Sequence, residues 1–568
     1  MDSPVLRRAL LLLCACFGAH ASAAGGATWS ATGGTAQIEI NRAIEPQYGL
    51  RIEVLGGKRL AAREDYLRDR IDLAGALTFE IANGHYAYPA TGALGPLRVV
   101  LHAGKRERRL SLRIVPAGER GAFALVDARG QPWFGARDVH QAFDAALGRL
   151  AMTHLDLRTG PALARWLGRD AMQGQLLGTV HLMLDGPADA AIAKAANSCH
   201  PPEWPGTPGG VTDVALDRLS RLDVYCNQGF AGGQAGLCDG NGTHPDAKLK
   251  FLPSVRLSNA GTTDVPWYIK FSAGPPQEDT GYPYATPDQH PFLVWNVYRV
   301  DADGRISQIG RSGVKHAFFT GNEDCPCNAG QILFASSPVQ CADTYDAGSN
   351  DRLSDLGPRR EVIASRGVFG RCESIFDPDC NGQQNPSDPN PERVELRYRA
   401  PIHESEFAAA LHPGAQWFIE AWYVVRDDAN LYNTMANRRF SPNWLGFWQM
   451  NFVGGETPPN GAVIDRWVAP GSTAPDARNT EVVTANGRIK LAVRVVPLGE
   501  GRYRYDYAVM NFEYADPVTS FAEPNLRIDR NHGLAALRVP VPEATTTQGY
   551  EFHDGDAAAL DWTAQRTT

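Results

Sequence analysis

The sequence predicts a mainly β protein, a multi-domain antiparallel β-sandwich-type architecture with a disulfide-stapled, loop-rich central unit. Three observations predict it. Gly (57) and Pro (39) are abundant beside many Asn and Asp, the composition of a chain that turns often. Apolar residues alternate with polar ones in run after run, the period of half-buried strands. Eight of the ten cysteines fall between Cys199 and Cys380, an even number confined to one region.

Residues 1–23 read as a secretory signal peptide. Arg7 and Arg8 precede an apolar stretch, and Ala21-Ser22-Ala23 supplies a small-residue cleavage pattern near Ala23. The leader carries Cys14 and Cys16 away with it. The expected destination is secreted or periplasmic, where thiols oxidise to disulfides.

Residues 24–185 read as an N-terminal β-rich domain with a small helical insert. Strand patterns occur at 36–40, 50–55, 77–81, 97–102, 110–115 and 175–184, with turns at Asn83-Gly84 and 128–130. Helical spacing appears over 139–150 and again over 160–167. Residues 186–212 are a Pro/Gly linker: a short Ala-rich helix at 189–196, then a stretch from Pro201 to Gly210 that continues no regular element.

Residues 213–460 form the cysteine-rich central β domain. Its strands are expected at 222–226, 251–257, 266–271, 292–300, 305–309, 314–319, 394–398 and 417–425. Asp301-Ala302-Asp303-Gly304 joins two of them as a hairpin turn. The run at 417–425 is apolar almost throughout, as a strand covered on both faces must be. From 322 to 390 periodicity vanishes, and a loop of that length needs a function or a staple.

Residues 461–568 read as a C-terminal antiparallel sandwich region. Strands at 480–484 and 489–496 flank Asn486-Gly487, the signature of a type I′ turn. Ile489, Leu491, Val493 and Val495 share one face; Tyr503, Tyr505, Tyr507 and Val509 alternate with Arg502, Arg504, Asp506 and Ala508.

Several function classes drop out. The net charge of −8 and the lack of a basic run argue against nucleic acid as a partner. No stretch after the leader approaches ~18 continuous apolar residues, so no transmembrane anchor is expected. Neither a phosphate-binding glycine loop nor a Gly-x-Ser-x-Gly nucleophile motif occurs.

The cysteines rank their own pairings by spacing. Cys372 with Cys380 and Cys226 with Cys238 each bracket a short loop; either Cys325 or Cys327 takes Cys341, and Cys199 takes the one left over. A thiolate metal site at Cys325-Pro326-Cys327 is the rival, disfavoured by C-x-C spacing and by export. His290 and His316 lie on strand-like runs that, as neighbours, would turn two imidazoles into one cleft. With Glu420 or Glu361 they would form a two-histidine, one-carboxylate set for copper, zinc or non-haem iron; the structural alternative is two singly hydrogen-bonded imidazoles. Asp377, Asp379 and Asn381 lie in an oxygen-rich loop suited to calcium, or in a plain Asx turn.

Between Trp417 and Trp448 aromatic residues interleave with polar ones. Trp422, Tyr432, Trp444, Trp448 and Arg438 would line a face for a small molecule, a glycan or a surface ligand. The alternative is that the aromatics fill a sandwich core. Glu420 with Asp427 or Asp428 would be the carboxylate pair of a polysaccharide hydrolase.

Five stretches are familiar together: Trp295-Asn296-Val297-Tyr298-Arg299, Val314-Lys315-His316-Ala317-Phe318-Phe319, Leu356-Gly357-Pro358-Arg359, Ala421-Trp422-Tyr423-Val424-Val425-Arg426-Asp427-Asp428 (with Asn430 and Tyr432-Asn433), and Tyr507-Ala508-Val509-Met510-Asn511-Phe512. Over roughly residues 213–555 the chain resembles a set of secreted bacterial proteins without an assigned activity. The resemblance implies export and a shared architecture, and it transfers no catalytic residue. Two functions are therefore expected to compete: extracellular ligand or surface binding through the aromatic-polar face, and an extracellular enzyme, either a histidine-ligated metal oxidoreductase or hydrolase or a carboxylate-based one.

Overall fold

The computed structural model describes residues 27–62, 66–82, 86–119, 121–137, 140–195, 208–226, 237–267, 290–317, 320–325, 336–337, 339–370, 372–375, 377–380, 398–455, 458–521, 526–554 and 563–565. The expected leader, Cys199, Cys327, Asn381 and the expected Asn83-Gly84 turn lie outside the described residues. The protein is built of antiparallel sheets with few and short helices.

Eight strands form a meander, β1 (Ala27–Asn41), β2 (Tyr66–Ala82), β3 (Tyr86–Ala103), β4 (Arg106–Pro116), β5 (Ala122–Val126), β6 (Pro132–Arg137), β7 (Arg149–Thr159) and β8 (Leu176–Asp185), with the shorter Leu50–Leu55 pairing beside β3. Each pairs with its successor, and β8 returns to pair with β1, so an eight-stranded meander closes into a barrel. Closure removes the sheet edges that would otherwise invite aggregation. At eight strands a barrel is just wide enough for side chains to fill it; Trp29, Leu77, Phe79, Leu94, Phe123 and Leu150 belong to one buried cluster.

The segment 139–150 departs from expectation: it holds a strand, His140–Asp144, that pairs with β7. The apolar spacing there is produced by a hairpin. Asp144 accepts a hydrogen bond from the Leu147 backbone N–H (3.0 Å), and Gly148 turns at φ 62°. The second helical segment forms as expected, Pro161–Leu167, between a proline in its first turn and a left-handed Gly168.

The strands that build the other sheets discussed below are β9 (Val214–Cys226), β10 (Lys248–Asn259), β11 (Phe292–Val300), β12 (Ile306–Arg311), β13 (Val314–His316), β14 (Ala342–Tyr345), β15 (Leu356–Gly357), β16 (Pro401–His403), β17 (Gln416–Val424), β18 (Met435–Trp444), β19 (Trp448–Phe452), β20 (Ala477–Thr484), β21 (Gly487–Gly499) and β22 (Arg502–Asn511). A four-stranded sheet orders β9-β10-β14, with β16 beside β10. A seven-stranded sheet orders β15-β13-β11-β17-β18-β19, with β12 beside β11. A three-stranded sheet orders β20-β21-β22.

These sheets stack in three layers. Odd-numbered residues of β11 and β17 (Leu293, Trp295, Val297, Ile419, Tyr423) meet Leu216, Phe251 and Leu257 of the four-stranded sheet. Even-numbered ones (Phe292, Val294, Trp422, Val424) meet Ala492 of the three-stranded sheet and Phe512 just past its last strand. That is why β17 is apolar on both parities: it runs through the middle layer. The barrel packs against this stack, its cluster taking in Tyr225, Leu252, Ala347 and Phe447.

One detail of the C-terminal region corrects the sequence reading. Thr484 pairs with Gly487, so the hairpin loop is Ala485-Asn486, not Asn486-Gly487. Gly487 is required for another reason: a Cβ there would sit 2.7 Å from the Glu513 carbonyl oxygen. Furthermore, the face bearing Ile489, Leu491, Val493 and Val495 is not the one that packs on the central sheet. Lys490 and Ala492 point inward and are buried, while their odd-numbered neighbours are half-exposed.

Among the described residues three disulfides close: Cys226–Cys238, Cys325–Cys341 and Cys372–Cys380. Between the two candidates for Cys341, the structure selects Cys325.

Candidate functional site

β13 pairs with β11 so that His316 lies opposite Phe292, and His290 stands just before the same strand. The two imidazoles meet directly, His290 Nε2 to His316 Nδ1 at 3.0 Å, and His316 Nε2 lies 2.6 Å from Glu361 Oε1. Glu361, not Glu420, is the carboxylate at this place. All three side chains are buried, walled by Phe292 and Phe369. With Glu361 accepting, His316 donates through Nε2–H and its Nδ1 accepts from His290 Nε2–H. Both nitrogens of His316 are engaged in this chain. Among the described residues no group of three or more His, Cys, Asp or Glu is arranged to hold a metal ion.

Glu420 sits four residues along the same face. Its Oε1 accepts from Asn296 Nδ2 (3.0 Å) and the Tyr298 hydroxyl (3.2 Å), and its Oε2 from the Val463 backbone N–H (2.7 Å). Burial pushes its carboxyl up against those three donors. Burial, then the charge of Glu420, likewise raises the Tyr298 phenol. Arg359 completes the array, donating to the Asn296 side chain (2.8 Å) and the Trp295 carbonyl (3.2 Å). Burial brings its guanidinium down to about 10.

Asp427 and Asp428 lie beyond the end of β17. From Glu420 to Val424 the strand alone covers about 13 Å, more than the roughly 5–9.5 Å that glycosidase carboxylates keep. Asp427 is exposed with φ 57°. The Asp428 carboxyl is pushed up to about 7, by burial first and by Asp213 and Glu513 besides. Its Oδ1 accepts from the Asn430 backbone N–H (2.9 Å).

The aromatic residues between 417 and 448 do not gather on one surface. Trp422 is buried against the C-terminal sheet, stacked on Phe512 at 5.5 Å. Trp448 is buried on the opposite side of the central sheet, donating from Nε1 to Glu404 Oε1 (2.6 Å). Half-buried Trp444 leans on it at 5.4 Å. Tyr432 packs on Phe512 and donates to Glu481. Arg438 is buried, donating to the carbonyls of Leu219 (2.6 Å) and Gly454 (3.2 Å) with its guanidinium over Phe452. These five side chains serve the packing of three layers.

Asp377 is buried inside the Cys372–Cys380 loop, where its backbone carbonyl accepts from Glu373 and Cys380, and Asp379 is exposed.

Two buried polar assemblies carry no motif in the sequence. Asp351, fully buried, receives Lys250 Nζ (2.7 Å), Arg399 Nε (2.9 Å), the Tyr66 hydroxyl (2.6 Å) and Asn41 Nδ2 (3.1 Å). Three histidines of the barrel, His140, His154 and His181, stand with ring centres 6.1 and 4.7 Å apart between Asp343 and Glu39. Burial, then Arg352 and the other histidines, holds His154 well below the usual imidazole range.

One surface stands out from all of these. The outer face of the three-stranded sheet runs in cross-strand rows: Val482-Ile489-Asn511, Thr480-Leu491-Val509, Arg478-Val493-Tyr507, then Val495-Tyr505 and Pro497-Tyr503. It is apolar and aromatic, and it faces solvent, with Tyr503 and Tyr505 each 57% exposed, Val482 48% and Val509 40%. The inner face is the more polar of the two, with Lys490, Arg494, Arg504 and Asp506. No protein-family model, curated protein or solved structure matches the chain.

Proposed function

We propose that the chain is an exported binding protein and that its recognition surface is the outer face of the C-terminal sheet. The observation that carries this reading is the inversion of that sheet, its apolar, aromatic side outward and its charged side inward. Scattered exposed apolar residues are ordinary, but a contiguous apolar face is characteristic of an interaction site. The three disulfides support export, because such bonds persist in oxidising compartments. The test is hydroxyl-radical footprinting of Tyr503, Tyr505 and Tyr507 in the mature protein. Three probes are applied in turn: raised concentration of the protein itself, immobilised glycans, and lipid vesicles. Protection of the three tyrosines by any one of them supports the reading, and equal oxidation under all three ends it.

A second reading rests on the Glu361–His316–His290 chain, which has the connectivity of a proton relay. In it Glu361 orients His316 and His316 in turn orients His290, the arrangement that general acid–base catalysis in an extracellular hydrolase would need. A panel of chromogenic esters and glycosides assayed against the protein and its His290→Gln variant tests it, and absence of turnover removes it. The copper, zinc or calcium version is tested separately: less than about 0.1 equivalent of bound metal after reconstitution removes it.

A further inference from the structure

We propose that the partner of the outer C-terminal sheet face is the same face of a second copy of this chain, two three-stranded sheets closing into one sandwich about a twofold axis. This rests on the reading of that face as a recognition surface and names its occupant.

The strands themselves argue for a sheet as the occupant. Strict alternation in β21 and β22 is the pattern of a sandwich core, in which the inward-pointing residues of two sheets interdigitate about 10 Å apart. Within the chain that pattern has been turned away from the central sheet, which is met instead by Ala492, Ala508, Met510 and Phe512. The face therefore has the chemistry of a buried layer and the position of a surface.

Charge argues for a second copy in particular. A twofold interface brings each patch against itself, so any charge on it meets its like. Across the five cross-strand rows the only charged residue is Arg478, at the β20 edge. Glu500 and Arg502, both exposed, lie at the turn that ends the face and would form its rim. A glycan would need a denser set of donors and acceptors than hydroxyls and one Asn provide, and an anionic membrane would need basic residues that the face lacks.

Area is sufficient. Three strands about 4.8 Å apart, over eight or nine residues at ~3.3 Å each, present a footprint near 400 Å². Upright Tyr and Val side chains raise the accessible area to roughly 600 Å² per copy, about 1,200 Å² in all, the lower bound of stable interfaces.

Sedimentation equilibrium of the mature protein over about 1–200 µM tests the proposal, a range that brackets micromolar dissociation. The wild type is expected to dimerise. Val493→Lys, which places like charges near the twofold axis, is expected to raise the dissociation constant at least ~100-fold. Tyr505→Glu does the same at a position exposed enough that the fold tolerates it, with the circular dichroism spectrum unchanged. Leu411→Glu, an exposed position off this face, is expected to leave the dimer intact. A wild type that stays monomeric throughout overturns the proposal, as does a dimer that survives both variants. If the wild type is monomeric but glycans or vesicles protect the tyrosines, self-pairing fails and the recognition face stands; if nothing protects them, both fail.

Discussion

His316 and Glu361 stand 45 residues apart in sequence and 2.6 Å apart in space. Their pairing shows what single side chains do in this core. A buried carboxylate stripped of its donor, or an imidazole stripped of its acceptor, retains its full desolvation cost. We therefore expect Glu361→Ala to lower unfolding free energy by about 3 kcal/mol and Glu361→Gln, which keeps an acceptor, by about 1, both read from urea denaturation. Asp428 provides a pH signature. Its folded pKa is about 7, pushed up by burial, against ~3.9 for an unfolded Asp. Between those values the folded state binds the proton and the unfolded state does not, so stability falls as pH rises from about 4 to 7. The full effect is at most about 4 kcal/mol. Asp428→Asn is expected to flatten that slope and to leave the protein more stable than wild type at pH 8 (about one unit above the folded pKa), a comparison made by denaturation at several pH values. Of these residues His290, His316, Glu420 and Asp428 were visible in the sequence as residue types. Which carboxylate joins the histidines was not, because Glu361 reaches them from a loop with no periodicity to place it.

At the scale of elements, local rules worked where partners are close in sequence. Cys372–Cys380 and Cys226–Cys238 follow from short loops, which cost little entropy to close. Replacing both Cys372 and Cys380 by Ala is expected to cost about 2.5 kcal/mol through the freed loop entropy of the unfolded chain, measured on the whole protein by thermal melting. The 139–150 segment shows where such rules fail. Apolar residues three and four apart fit a helix, yet the same residues serve a hairpin once Gly148 and the Asp144 side chain supply the turn. Strand β8 holds a sharper constraint. A Cβ on Gly178 would lie 1.9 Å from the Glu39 carbonyl oxygen in β1. Gly178→Ala should therefore force β1 and β8 apart and lower the barrel's stability by at least ~2 kcal/mol, with the loss seen as faster hydrogen exchange along both strands.

At the scale of the whole molecule, the barrel and the layered sheets share buried charge. Asp351 binds Asn41 and Tyr66 from the barrel side and Lys250 and Arg399 from the other. Removing its charge would leave two buried cations uncompensated, a loss on the order of 3–5 kcal/mol. We expect the wild type to melt with barrel and central sheets in one calorimetric transition and Asp351→Asn to split it in two. A wild type that already shows two transitions would refute that coupling.

From the amino-acid order alone followed the mainly β class, most strand positions, the short disulfides and the apolar character of β17, since each depends on neighbours within a few residues or on composition. Tertiary structure alone decided that the first unit closes as a barrel, that Trp422 and Trp448 lie on opposite sides of one sheet, and that the C-terminal sheet faces its apolar side to solvent. The physical reason is that period two states that a strand has two unlike faces but not what covers either one. That choice is made by pairings such as β1 with β8, about 150 residues away, and by the packing of whole layers, neither of which leaves a trace in local spacing.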